Sequence, residues 1–362
     1  MRPVVFLLLA SCSLWAADKA VYDITSLVVQ ENGDITLMGG KSVGIPLVWG
    51  PETKVVFEDS KPGANWEHPA AIKVISRDGT VLQEVKTSRP PAALKNAKQI
   101  EGPTFDTKTP PFSLSSFQGR FRVANPKNFY ALLINGQADQ RHWNDFSFFY
   151  RVLTEVYGYS KENIFVADGN FKGSQEDLDG DGKSDIQYGS HLKDIKDVMA
   201  LLKGKLTQED HLVLAVNDHG GTSGNQSTII LQDGEITASD FAKLLNQLKV
   251  GKLLALYEQC FSGGFVRPSV KNGWVAAAGA TNLESSWASM DLNWDEWIYY
   301  VVAGFAMQTH DGKAISIDVN KDNKISAQEA MGYSIAKDLR PESPLLEAYV
   351  NSGDSNEIGL GF

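Results

Sequence analysis

Two short stretches of this chain hold residues that could carry out nucleophilic chemistry. Asp218-His219-Gly220-Gly221 follows the apolar run DHLVLAVN (210–217), and Glu258-Gln259-Cys260 follows the apolar run KLLALY (252–257). A thiolate is a strong nucleophile at neutral pH, and an imidazole within reach can take its proton and return it to a leaving amine. The small residues that follow each one let backbone N–H groups approach a substrate carbonyl, as an oxyanion hole requires. The chain has 2 cysteines. The other, Cys12, lies in a stretch that reads as an export signal, so Cys260 would be the only thiol after processing. Exported proteins usually pair their cysteines, so a single thiol there calls for a use. This reading requires Cys260 and His219 on one rim, with a solvent path to the sulfur.

Parallel strands would position them. FYALLING (129–136), NIFVAD (163–168), DHLVLAVN, KLLALY and WVAAAGA (274–280) are buried-strand runs. Helical patterns lie between or after them, near 143–157, 192–204, 237–249 and 294–308. Apolar strands alternating with helices predict an α/β fold with a mostly parallel sheet covered on both faces. Functional residues then gather beyond the carboxyl ends of the strands. The interval from His219 to Cys260 leaves room for one helix and the return strand, so the two residues would end neighbouring strands.

The organisation expected is a signal peptide over 1–17, a β-rich, sandwich-like domain over 18–101, a Pro-rich linker over 102–127, the α/β domain over 128–310, and a calcium loop with a C-terminal segment over 311–362. Asn32-Gly33 and Asp78-Gly79 mark two hairpins in the β-rich part, because a type I′ turn needs φ > 0 at both central residues. Arg2, the apolar stretch Val4 to Leu14 and the small residues Ala16 and Ala17 fit a secretory signal. Leu9-Ala10-Ser11-Cys12 would allow a lipid anchor at Cys12 instead. Either route predicts a secreted or periplasmic protein. The net charge of −10 argues against nucleic acid as the main partner.

Four blocks resemble the legumain-like (C13) cysteine peptidases of the caspase-like fold. They are Arg141-His142, Asp218-His219-Gly220-Gly221, Glu258-Gln259-Cys260-Phe261-Ser262-Gly263 and Glu284-Ser285-Ser286-Trp287, in family order across 128–300. The resemblance implies a caspase-like three-layer sandwich, with Cys260 as nucleophile and His219 as acid/base. The N–H groups of Gly220 and Cys260 would form the oxyanion hole. Arg141, His142, Glu258, Ser285 and Asp295 would serve the pocket for the residue before the cut bond, which this family prefers to be Asn or Asp. A carboxamide offers both a donor and an acceptor, and a pocket of Arg and carboxylates can answer both. The papain-type sequence around a catalytic cysteine is absent.

Asp318 to Glu329 follows the twelve-position EF-hand pattern, with oxygen at positions one, three, five, nine and twelve. The candidate calcium ligands there are Asp318, Asn320, Asp322, Lys324 and Glu329. Asn323 replaces the usual glycine, and Asn tolerates the left-handed conformation. A second loop offers Asp177, Asp179, Asp181, Lys183 and Asp185, with Tyr188 where the bidentate Glu belongs. The function expected is an exported endopeptidase acting on peptide or protein substrates through a thioester acyl-enzyme, with structural Ca2+. The alternatives are a transpeptidase acting on the same bond and a non-catalytic, calcium-stabilised surface protein.

Overall fold

The computed structural model describes residues 19–45, 53–102, 112–114, 121–136, 139–169, 177–348 and 354–361. The expected export signal and Cys12 lie outside these residues, as does most of the Pro-rich stretch.

The first part of the chain builds β1 (Ala20–Asp23), α1 (Thr25–Gln30), β2 (Asp34–Thr36), β3 (Ser42–Gly44), β4 (Lys54–Asp59), β5 (Ala70–Ile75), β6 (Val81–Thr87) and β7 (Lys98–Glu101). Five of the strands form one antiparallel sheet in the order β6-β5-β4-β1-β7, and β2 and β3 form a separate ribbon. This is one sheet with a helix and a ribbon, not the pair of facing sheets that two hairpins suggested. The β5–β6 hairpin turns at Asp78-Gly79, with Gly79 at φ +88°. Asn32-Gly33 does different work. It ends α1, with Asn32 N–H donating to Val29 O (3.3 Å) and Gly33 N–H to Val28 O (2.9 Å). That pattern is a Schellman motif, and it needs φ > 0 just as a hairpin turn does.

The second part holds β8 (Phe129–Asn135), α2 (Gln140–Arg151), β9 (Ile164–Asp168), α3 (Leu192–Lys205), β10 (His211–Val216), β11 (Gly220–Ser223), β12 (Gln226–Leu231), β13 (Gly234–Thr237), α4 (Ala238–Leu245), β14 (Lys252–Tyr257), α5 (Gly263–Val266), β15 (Trp274–Ala278), α6 (Glu296–Ala306), α7 (Ala327–Lys337), β16 (Leu345–Ala348) and α8 (Asp354–Glu357). The central sheet runs β16-β15-β14-β10-β8-β9, and only β16 is antiparallel to its neighbour. Successive side chains point to opposite faces of a strand. Ala131, Leu133, Val213 and Ala215 therefore pack with Phe149, Trp297 and Phe305 on one face. Leu132, Ile134, Leu212 and Leu214 pack with Val198, Leu202 and Phe241 on the other. Each fully buried Leu or Phe contributes about 1.5–3 kcal/mol. This mixed α/β architecture is compatible with a caspase-like fold. The small antiparallel sheet β11-β12-β13 gave no signal in the sequence.

The two parts are joined closely. Ile230 of β12 sits in the apolar core of the amino-terminal module. The buried Arg89 places Nη2 2.6 Å from Glu235 Oε2 on β13.

Candidate active site

Strand register sets the site. Val216 of β10 is the Cα partner of Tyr257 of β14 in a parallel pair. His219 and Cys260 each follow three residues later, so both leave the same edge of the sheet at the same height. The backbones touch there: a Cβ on Gly220 would lie 2.1 Å from Cys260 O and 2.9 Å from Cys260 N. Only glycine fits beside the cysteine. Gly136, after β8, is forced in the same way, since a Cβ would lie 1.9 Å from Asp218 Oδ2.

Both side chains are buried, His219 at 1% exposure and Cys260 at 0%. Full burial of the sulfur departs from the solvent path that the sequence reading required. The cause is the loop between β4 and β5. Asn65, itself 0% exposed, lies over the site. Its N–H donates to Ser286 O (3.0 Å), and its carbonyl accepts from Gly220 N–H (3.0 Å). Its side chain is held at both ends. Arg141 Nη2 donates to Oδ1 (2.6 Å), while Nδ2 donates to Ser286 Oγ (3.0 Å) and Glu258 O (3.3 Å). Cys260 Sγ lies 3.8 Å from Ser286 O, the oxygen that also takes the Asn65 N–H. Burial pushes the Cys260 thiol up to about 12, against smaller downward contributions from Ser285 and from the backbone at Ser286. It is therefore protonated at neutral pH in this arrangement.

A cleft of about 480 Å³ reaches His219 and Arg141 between the module and the α/β unit, along Gly63 and Trp66. His219 Nε2 lies 3.3 Å from Asp139 Oδ2. Asp139 caps α2, and its own N–H donates to His142 Nδ1 (3.3 Å). His142 Nε2 is 3.2 Å from Asp295 Oδ2, and Arg141 Nε is 3.0 Å from Asp295 Oδ1. Burial, then the Arg141 charge, holds His142 well below the usual range, so it is neutral. Asp295 rises through burial, an effect that Arg141 opposes. His142 thus braces Asp295.

The sequence reading placed the Glu258 carboxylate in the pocket. The structure turns it away: Oε2 accepts the Ile298 N–H in the first turn of α6 (3.0 Å), and the pocket receives the Glu258 carbonyl instead. Burial, then the nearby Glu342, lifts Glu258 well above the usual carboxylate range. Ser285 was named for the pocket, but the hydroxyl facing Asn65 belongs to the next residue, Ser286. Asp145 and Asn217 had no sequence signal. Asp145 Oδ2 accepts from Asn217 Nδ2 and from Asp295 N–H, both at 2.9 Å, and so fixes Asp295.

The calcium candidates lie away from this site. Asp318 accepts from Asp322 N–H (3.2 Å) and Asn323 N–H (3.1 Å), and Glu329 Oε1 accepts from Val319 N–H (2.9 Å). Asn323 sits at φ +62°. In the earlier loop, carboxylate oxygens of Asp177, Asp179 and Asp185 lie within 4.8 Å of one another. Lys161 Nζ reaches Asp179 at 2.5 Å and Asp181 at 2.8 Å.

The fold and site define an α/β protein that presents a cysteine and a histidine from adjacent strand ends beside a buried, Arg-based pocket. Residues 187–320 match the model of the peptidase C13 family. No curated protein matches the chain. The matched span takes in His219, Gly220, Glu258, Cys260, Ser285 and Asp295, while Arg141 and His142 precede it. Among the described residues no helix is long and apolar enough to cross a membrane.

Proposed function

We propose that this chain is an exported cysteine endopeptidase that cuts after Asn, and less readily after Asp, using Cys260 as nucleophile and His219 as acid/base. The observation that carries the specificity is the Asn65 side chain. One guanidinium donor meets its oxygen, and two acceptors meet its amide nitrogen. An ionised Asp would turn an oxygen toward the Glu258 carbonyl, an arrangement with no donor between two acceptors. In the reaction, His219 takes the thiol proton as Cys260 Sγ attacks the substrate carbonyl. Gly220 N–H stabilises the oxyanion, and His219 returns the proton to the leaving amine. Water then hydrolyses the thioester. The test is hydrolysis of an Asn-containing peptide by the full chain and by Cys260→Ala. The variant is expected to keep its fold and lose all turnover, and full activity in the variant would overturn the assignment.

The amino-terminal stretch fits export, and the two acidic loops fit calcium. Oxygen ligands at 2.3–2.6 Å from Ca2+ span distances comparable to those among Asp177, Asp179 and Asp185. Asp318, Asn320, Asp322 and Glu329 would hold the ion in the later loop and staple α7 to the segment before it. Such an ion would add stability and take no part in the chemistry.

A further inference from the structure

The loop from Asp59 to His68 lies in the site as a substrate would. Gly63 O accepts from Ala288 N–H (2.8 Å), Ala64 bridges antiparallel to Trp287, and Asn65 N–H donates to Ser286 O (3.0 Å). This is strand addition, in which main-chain bonds give register and one side chain enters a pocket. The side chain that enters is the carboxamide of Asn65. The carbonyl that follows it accepts from Gly220 N–H, the donor that the proposed chemistry aims at an oxyanion. The loop is pinned at both ends, because His68 Nε2 lies 2.6 Å from Asp59 Oδ1. Trp66, on the far side of that carbonyl, stacks on His68 at 4.2 Å and stays in the module.

Resting on the peptidase reading above, we infer that the Asn65–Trp66 peptide bond is a substrate of the chain's own Cys260, and that residues 63–65 close the site to other peptides while they remain seated. In the step, Cys260 Sγ bonds to the Asn65 carbonyl carbon and the bond to Trp66 N breaks. The thiol proton passes through His219 to the Trp66 amine. Water then cleaves the thioester, leaving Asn65 with a carboxylate and restoring the thiol. Before that, the anchored Trp66 amine stays beside the acyl group and can re-form the bond, so self-cleavage is slower than cleavage of a free peptide. β4 and β5 flank the cut and pair along their whole length, so the two pieces stay together afterwards.

The experiment uses the full chain, its Cys260→Ala form, and Asn65→Ala and Asn65→Gln. Denaturing mass spectrometry reads the new ends, an Asn-containing peptide reads activity, and iodoacetamide labelling of Cys260 reads accessibility. The unmodified chain is expected to yield a fragment that begins at Trp66, and the other three to keep that bond. Losing one charge-assisted and two neutral bonds from the plug should raise the initial rate of Cys260 labelling in Asn65→Ala by about tenfold or more. Asn65→Gln keeps a carboxamide and guards against a folding defect in the alanine form. An active chain that leaves Asn65–Trp66 intact, with equal labelling rates in all forms that retain the thiol, would overturn the inference while sparing the peptidase reading. Absence of peptide hydrolysis in every form would instead reject the peptidase reading. In that case faster labelling of Asn65→Ala would still support the plug, and equal labelling would reject it.

Discussion

A carboxamide needs a donor and an acceptor facing it, and Asn65 finds them on three separate elements: Arg141 from α2, the Glu258 carbonyl after β14, and the Ser286 hydroxyl. Arg141 and Asp295 came from the resemblance to the C13 peptidases, and the structure pairs them, Arg141 Nε lying 3.0 Å from Asp295 Oδ1. The sequence misled at Glu258, since the residue type suggested a carboxylate ligand while the chain uses its carbonyl and gives the carboxylate to the α6 N–H. It gave no sign of Asn65, whose place in the site depends on contacts with residues far away in the chain. Ser286→Ala should lower kcat/KM toward an Asn peptide by about tenfold, the usual effect of leaving a buried amide unanswered. The loss toward an Asp peptide should be smaller. Steady-state kinetics on the matched pair checks this, and equal losses would remove Ser286 from the specificity argument.

Elements built from continuous apolar runs were readable. β8, β9, β10, β14 and β15 fall on them, and α2, α3, α4 and α6 fall on the helical patterns between or after them. What failed was local ambiguity. Asn-Gly supplies positive φ equally well for a hairpin and for a helix end, and the packing of Leu27 and Val28 into the module core decided for α1. The short strand β16 is fixed by β15, a partner distant in sequence, which no local pattern reveals. One element also carries a pH effect. His211 opens β10, stacked 4.4 Å from Phe129. Burial, then the Lys252 charge, lowers its pKa to about 4. The unfolded chain takes up that proton near the ordinary value of about 6.5. Between these values the unfolded state binds more protons, so stability falls as pH falls. Urea midpoints should therefore drop from about pH 7 to about pH 5, and His211→Gln should shrink the drop. An unchanged difference would show that other groups set it.

At the scale of the whole molecule, the stabilising effect proposed for the acidic loops is testable without any activity. Binding at a hundred times Kd adds about 2.7 kcal/mol per site, so emptying each loop should lower Tm by roughly 3–4 °C in a chain of this size. Glu329→Gln should remove most of the part due to the later loop. A melting curve indifferent to calcium and to chelator would reject both sites.

Ile230 belongs to two neighbourhoods at once. Its side chain fills the module's core, and its N–H holds the carbonyl of His219 at 3.0 Å. The backbone of His219 is thereby tied to a strand whose own side chain is anchored in the module. Trimming the chain to its α/β half would bare Ile230 to water and slacken the tether, so the smallest unit that keeps its proton shuttle aligned includes the front of the protein.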